Sequence, residues 1–360
     1  MKIALIHSRL VRRGGLETRF FSYIEYLHRL GHEVSVITSK VASDANISPE
    51  VEILPVSMST VPKPVRGPSF DKKVREVLLR NKFDFVLSLT RTTKQDALLA
   101  PANHLGFIRA TGKKILGVKD RLDIKMERRA FSTPGSILAA SEMMRDELIE
   151  LYNVKPAKIQ LLLPPVDPRR FHHGIKQQRE EFRRKYECDP DKKSFLFISA
   201  SHKRKGLPLL LKVFEELKDD PVELLIAGVK PPKTKLKNVR YLGYVKEAEE
   251  LYAAADYFLL PALFEPFGQV VSESLLCNVP VVISHMVGAK TIVGESEGIV
   301  VNSFDPKEWA AVLRSLPERS FRISPDFAIE KKIRLEDHME VILNLAKIAF
   351  ARKLQPVRGR

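Results

Sequence analysis

Two glutamates eight positions apart, Glu265 and Glu273, stand in the segment Ala262-Leu-Phe-Glu-Pro-Phe-Gly-Gln-Val-Val-Ser-Glu273. An apolar run from Tyr257 to Leu260 leads into it and reads as a buried strand. Pro261 ends that strand, Gly268 follows, and an apolar-periodic helix over 269–277 begins. This places one carboxylate at a loop tip and the other about two turns on, on the first turns of the helix. Between them lie the N–H groups of a helix start, which suit an anion. Carboxylates accept hydrogen bonds from sugar and ribose hydroxyls, and such N–H groups donate to a diphosphate, so the segment holds the parts a nucleotide sugar needs. The plainer alternative is two solvated carboxylates, with Glu273 stabilised by the helix dipole. It fits poorly with a setting between an apolar strand and a largely apolar helix.

Other residues bear on the same chemistry. Arg204-Lys205-Gly206 follows an apolar run, Ser194 to Ile198, and its two cations suit a diphosphate and the charge on a leaving group. Gly14-Gly15 follows the first apolar run, where two glycines let the backbone approach a ligand. The dinucleotide spacing G-x-G-x-x-G is absent, and Arg9, Arg12 and Arg13 beside the pair favour an anionic partner. His104, after the apolar run 84–89, has the chemistry to position or deprotonate an acceptor hydroxyl, and a structural or surface histidine is the plainer alternative. Asp189-Pro-Asp191 spells the Asp-x-Asp of metal-dependent sugar transferases, but its place between a helix and a strand reads as turn chemistry. His172-His173 lacks ligand partners at metal spacing, and no metal site is expected.

The elements that must hold these residues alternate. Strands over 3–6, 34–38, 84–89 and 136–140 surround a helix over 17–30 that Gly31 closes. Pro164-Pro165-Val166-Asp167-Pro168 then forbids helix and sheet interior alike and marks a domain boundary. Beyond it a charged helix over 176–186 precedes strands over 194–198, 223–227, 239–242, 257–260, 279–283 and 298–301. Helices over 207–217, 248–254 and 269–277 alternate with these strands. The pattern predicts two doubly wound α/β domains with parallel sheets. They are expected over 1–164 (acceptor binding) and 165–330 (nucleotide-sugar binding), facing a central cleft where ligands bind. Residues 331–360 are expected to form a C-terminal helix, crossing back to the first domain, and a basic tail.

The 360 residues carry a formal charge of +16, and 44% are hydrophobic. Residues 1–164 hold 27 Lys/Arg against 17 Asp/Glu, so the excess lies mainly in the first half. Nucleic acid, an anionic membrane surface and an anionic substrate would each suit such a charge. No recognition helix or aromatic RNA platform is visible, so nucleic acid is not expected. Gly106 to Phe131 interleaves Arg109, Lys113, Lys114, Lys119, Arg121, Lys125, Arg128 and Arg129 with apolar residues, a pattern for anionic lipid as well as for an ordinary basic face. No run approaches the roughly 18 to 20 apolar residues of a membrane span. Met1 to Ile6 reads as a strand rather than a signal peptide, and Cys188 and Cys277 read as free thiols of a reducing compartment.

Taken together, the Gly14-Gly15 loop, the Pro164-Pro-Val-Asp linker ending in Phe171, the Arg204-Lys205-Gly206 turn, the Tyr252-Ala-Ala-Ala-Asp256 segment and the E-x7-E of Glu265 and Glu273 give a resemblance over nearly the whole chain. The chain resembles the retaining glycosyltransferases of family 4, of GT-B fold, and within them the lipopolysaccharide-core glucosyltransferases. The resemblance implies that Glu265 contacts the donor sugar, Glu273 the ribose, and Arg204 and Lys205 the diphosphate. It implies that Phe267, Gly268, Gln269 and Val270 support sugar and phosphate through backbone N–H groups. Gly14 and Gly15 would meet the donor, and His104 would lie beside the acceptor. Two departures stand out: Ser199-Ala200 replaces a frequent glycine-arginine pair, and Pro101 stands where relatives often place an acid.

The implied reaction moves a hexose, glucose from a UDP-linked donor, to an anionic glycolipid such as lipopolysaccharide core. It would keep the anomeric configuration, require no metal and no cofactor, and occur on the inner face of the cytoplasmic membrane. Alternatives are mannosyl transfer to a lipid or polysaccharide, a sugar-nucleotide-binding protein without turnover, and an epimerase of the same architecture.

Overall fold

The computed structural model describes residues 1–11, 14–100 and 102–355, so Arg12, Arg13, Pro101 and the tail beyond Gln355 lie outside the described residues. The chain divides into two compact units. One takes Met1–Leu163 and the chain from Leu335 onward, and the other is Pro164–Arg334.

The first unit is a seven-stranded sheet: β1 (Lys2–Ile6), β2 (Glu33–Thr38), β3 (Glu52–Pro55), β4 (Phe85–Ser88), β5 (Ala97–Ala100), β6 (Ser136–Ala139) and β7 (Ile159–Leu161), in the order β3-β2-β1-β4-β5-β6-β7. Every pairing is parallel. Parallel neighbours need crossovers, supplied by α1 (Gly15–Arg29), α2 (Arg66–Arg80), α3 (His104–Thr111), α4 (Val118–Ser132) and α5 (Glu142–Tyr152). The period of two along β1 sends Ile3 and Leu5 to a core with Phe20, Tyr23 and Met339, and Ala4 and Ile6 to a second core with Phe70 and Val74. Helix α1 begins at Gly15, two residues before the sequence expectation. It ends as expected, with Gly31 at φ 76° just past its C-cap. Strands β3, β5 and β7 have no counterpart in the sequence reading.

The second unit is a six-stranded parallel sheet: β8 (Lys193–Ser199), β9 (Val222–Gly228), β10 (Val239–Gly243), β11 (Tyr257–Leu260), β12 (Val281–Ser284) and β13 (Gly298–Val301), in the order β10-β9-β8-β11-β12-β13. Its helices are α6 (Arg179–Lys185), α7 (His202–Lys205), α8 (Leu207–Glu216), α9 (Ala248–Ala254), α10 (Gln269–Leu276), α11 (Pro306–Ser315) and α12 (Phe327–Glu330). The expected helix over 176–186 is a 3-10 segment, His173–Gln178, followed by the shorter α6. The last helix, α13 (Leu335–Leu354), belongs to the first unit, where Lys353 donates to Phe83 O, Asp84 O and Asp96 at the start of β4 and β5.

In each sheet the winding direction reverses once, at β1/β4 and at β8/β11. A doubly wound sheet opens a crevice at the carboxyl ends of the two strands flanking that reversal. Cys188 and Cys277 are both free thiols.

Candidate functional site

The reversal in the second sheet decides where the chemistry-bearing residues go. Leaving β8, the chain makes the one-turn helix α7 and bends through Gly206 at φ 90° into α8. A Cβ on Gly206 would lie 1.9 Å from the carbonyl oxygen of Pro261, so the turn can press against the end of β11 only because it has no side chain. Leu263 N donates to Arg204 O at 2.9 Å, which ties that turn to the segment leaving β11.

On this contact the guanidinium of Arg204 reaches Glu265 Oε2 at 2.8 Å and Phe264 O at 2.9 Å. Glu265 is not a loop tip, as the sequence reading had it. Its N–H donates to Met286 O at 3.0 Å and its carbonyl accepts from Gly288 N at 2.8 Å, a strand-like bridge to Val287. Phe267 O likewise accepts from Ala289 N at 2.8 Å. The acid is therefore fixed from both sides.

Gly268, at φ 95°, turns the chain into α10. Its missing side chain leaves room for Leu260, Glu265 and Val287, each 3.2 Å from where a Cβ would stand. The N–H groups of Gln269 and Val270 lie in the first turn of α10, where backbone donors have no partner within the helix. The side chain of Gln269 donates to Pro165 O at 3.1 Å, anchoring this start to the chain that enters the unit.

Glu273 lies in the second turn of α10, within the first turns where the sequence reading put it. The helix dipole fades within one turn, so the capping alternative falls. Its environment is instead a buried one. Burial raises its carboxyl above the usual range, opposed by the Tyr252 hydroxyl, Lys205 and Arg170. Tyr252 OH lies 3.0 Å from Glu273 Oε2 and 3.2 Å from Val270 O. Lys205 lies largely out of solvent, and burial lowers its pKa against the pull of Glu265 and Glu273. Its ammonium has one long contact among the described residues, to Ile198 O at 3.4 Å. Two of its three donors have no acceptor among the described residues, which is what a phosphate would satisfy.

Glu265, Arg204, Lys205, Phe267, Gly268, Gln269, Val270 and Glu273 thus come together around the ends of β8 and β11. Gly14, Gly15 and His104 belong to the other unit. Gly14 has φ 100° and α1 starts at Gly15, with Glu17 Oε2 2.9 Å from where a Gly14 Cβ would stand. His104 opens α3, and its Nε2 lies 2.9 Å from Asp120 Oδ1. Lys113, His104 and the Gly117 N–H together hold Asp120 well below the usual carboxylate range. That carboxylate therefore accepts from Nε2–H, which leaves Nδ1 as the ring nitrogen not held by Asp120.

Asp189 accepts from Asp191 N at 3.1 Å and pairs with Lys192 at 2.8 Å, the turn chemistry expected of it. Two contributors escaped the sequence reading. Tyr252 orients Glu273, and Lys176 caps α9 by donating to Tyr252 O, Ala253 O and Ala255 O. The aromatic residue on α9 was visible in the sequence, but its partner twenty-one positions on was not.

Two family models match the sequence: Glycosyl transferases group 1 over residues 178–326 and Glycosyltransferase Family 4 over residues 13–170. A probable transglycosylase of Burkholderia thailandensis is 32% identical over 322 residues, 89% of this chain and 87% of its own. Among solved structures, WaaG, a glycosyltransferase involved in lipopolysaccharide biosynthesis, superposes with a TM-score of 0.75 at 20% identity, covering 98% of this chain and 100% of WaaG. HepE of Anabaena in complex with UDP and glucose gives a TM-score of 0.71 at 16% identity, with 96% of this chain and 99% of HepE covered.

Proposed function

The chain belongs to the family 4 glycosyltransferases and has their GT-B fold, and from that premise we propose that it moves glucose from UDP-glucose to an anionic glycolipid with retention of configuration. The under-coordinated ammonium of Lys205 beside the fixed Arg204–Glu265 pair carries this reading. Arg204 and Lys205 bind the diphosphate and offset the negative charge that grows on it as its bond to the sugar C1 breaks. The N–H groups at the start of α10 bind the same anion. Glu265 holds the sugar hydroxyls, and Glu273, oriented by Tyr252, holds the ribose. The acceptor oxygen bonds to C1 on the face the diphosphate leaves, and its proton passes to a phosphate oxygen. His104, braced by Asp120, positions the acceptor hydroxyl through Nδ1. Two protein cations take the part a divalent ion plays elsewhere, so transfer is expected to survive chelators.

For the acceptor, the loop joining α3 to α4 and the first residues of α4 support a charged lipid surface. Ile115 and Val118 are 84% and 75% exposed, and Lys113, Lys114 and Lys119 surround them. Apolar tips set among cations suit insertion into an anionic interface. No helix among the described residues is long and apolar enough to cross a membrane. We place the reaction at the inner face of the cytoplasmic membrane.

A thermal-shift panel of nucleotide sugars names the donor, because a ligand of the native state stabilises it in proportion to affinity. Transfer from that donor to a phosphorylated glycolipid, retained in EDTA and lost in Glu265→Ala, is the expected result. Donor binding with equal, near-zero turnover in both proteins would mark a binding protein instead.

A further inference from the structure

The first unit holds an open cavity that the reading above does not use. It lies at the carboxyl end of β4, the side on which a doubly wound sheet takes its ligands. The loop leaving β4 supplies Arg91 to its wall, the start of α2 supplies Pro68, and α4 supplies Leu122, Lys125, Met126 and Arg129. The space measures about 230 Å³. The four α4 residues stand at i, i+3, i+4 and i+7, so a single stripe of the helix lines it. Beside it the two helices touch: a Cβ on Gly67 would lie 2.7 Å from Met126 Sδ.

Charge on α4 is sorted by face. Its three acids, Asp120, Asp123 and Glu127, stand at i, i+3 and i+7 and are all engaged. Asp120 lies 2.7 Å from Lys113 and 2.9 Å from His104, and Asp123 lies 3.2 Å from Arg91. Glu127 lies 2.5 Å from Arg91 and accepts from His104 N at 2.8 Å. The five bases, Lys119, Arg121, Lys125, Arg128 and Arg129, are exposed and have no carboxylate partner among the described residues. Asp71, the acid of the cavity wall, accepts from the Thr93 N–H and hydroxyl at 2.7 and 2.8 Å and pairs with Arg75 at 3.4 Å. Arg91 is neutralised by its two carboxylates. Lys125 and Arg129 therefore give the cavity a positive rim, over a half-buried apolar floor of Pro68, Leu122 and Met126.

This pairing selects a chemistry. A free anion leaves the apolar floor unused, and an uncharged chain leaves two cations unpaired. A phosphate joined to an aliphatic chain satisfies both. The helix that lines the cavity also fixes His104 at two points, its ring through Asp120 and its N–H through Glu127.

We propose that the cavity between α2 and α4 binds the acceptor lipid itself, its phosphate on Lys125 and Arg129 and its chain on Pro68, Leu122 and Met126. The site deepens the glycolipid reading of the acceptor and rests on it. It is distinct from the exposed tip of Ile115 and Val118, which meets a surface rather than a single molecule.

Calorimetric titration of the full chain with hexyl, octyl and decyl phosphate, each below its micelle-forming concentration, tests the site. Binding is expected to tighten about fourfold for each methylene that enters the cavity. Octanol and inorganic phosphate are expected to bind at least tenfold more weakly than octyl phosphate. Lys125→Gln/Arg129→Gln should weaken octyl phosphate at least tenfold at an unchanged melting temperature, since both side chains are exposed. Met126→Gln should weaken the longer chains more than hexyl phosphate, and Ile115→Ser/Val118→Ser should leave all three within twofold. A phosphorylated alkyl glucoside is expected to outcompete dihexanoyl phosphatidic acid; the reverse order would mark a bilayer-lipid site and overturn the acceptor assignment. Binding that ignores chain length, survives Lys125→Gln/Arg129→Gln or vanishes in Ile115→Ser/Val118→Ser overturns the cavity itself. These titrations need neither donor nor turnover, so loss of the transferase reading and loss of this site would register in different experiments.

Discussion

Replacing Gly206 with alanine tests the link between the fold and the site. Gly206 has φ 90°, and its added methyl would stand 1.9 Å from Pro261 O, 2.6 Å from Pro261 C and 2.8 Å from Pro261 Cγ. The left-handed backbone costs a non-glycine residue ~1–2 kcal/mol. Forcing a methyl into packed backbone adds ~1–3 kcal/mol. Together these give about 2–5 kcal/mol, a large share of the ~5–15 kcal/mol that holds a domain folded. The strain cannot be relieved without moving α7 from the end of β11, and that contact carries Leu263 N to Arg204 O, Arg204 to Phe264 O and Arg204 to Glu265. A displacement of about 1 Å at a positioning group costs roughly 100-fold in rate. Urea unfolding and turnover at saturating donor measure the two effects. A Gly206→Ala protein with wild-type unfolding midpoint and turnover within a few-fold would show that the glycine does not set the site.

Other expectations follow from the same geometry. Glu265→Gln removes a charge-assisted bond to Arg204, of ~1.5–3 kcal/mol, and should lower donor-dependent transfer at least tenfold in a steady-state assay. Glu273→Gln should leave stability near wild type, since burial already favours the neutral acid, while its donor KM rises. His338 has a pKa lowered by burial from 6.5 to about 3. Its unfolded state therefore binds a proton that the folded state refuses, and stability falls as pH drops below 6.5, with about 5 kcal/mol lost near pH 3. Denaturant titrations from pH 7 to pH 3.5 would show this limb, and a flat profile would exclude it. Ile115→Asp with Val118→Asp should cut sedimentation with anionic vesicles at least tenfold without altering the melting temperature.

How much was legible varies by element. The run Tyr257 to Leu260, Pro261 and Gly268 announced a strand, a stop and a turn, and β11 and α10 follow that outline. β3 escaped because its apolar part is only Ile53–Leu54, half-buried between an exposed Glu52 and Pro55, too short a run to mark a strand. β7 is only three residues long at a sheet edge, and β5 is a four-residue apolar run in a stretch read for His104 instead. Arg19 looked like any helix arginine; its burial came from α1 and α13 packing on the same face of the sheet.

Sequence alone determined the alternation of strands and helices, the proline break after Leu163 and the residue types of the site. These are local properties: side-chain period, fixed proline φ and glycine freedom act within a few residues. Tertiary structure alone decided that Arg204 meets Glu265 across sixty-one positions, that Tyr252 holds Glu273, and that Arg19 is buried with its Nε unpartnered among the described residues. Those outcomes depend on the order in which strands pair, and strand order is set by burial of the whole sheet rather than by any segment of it.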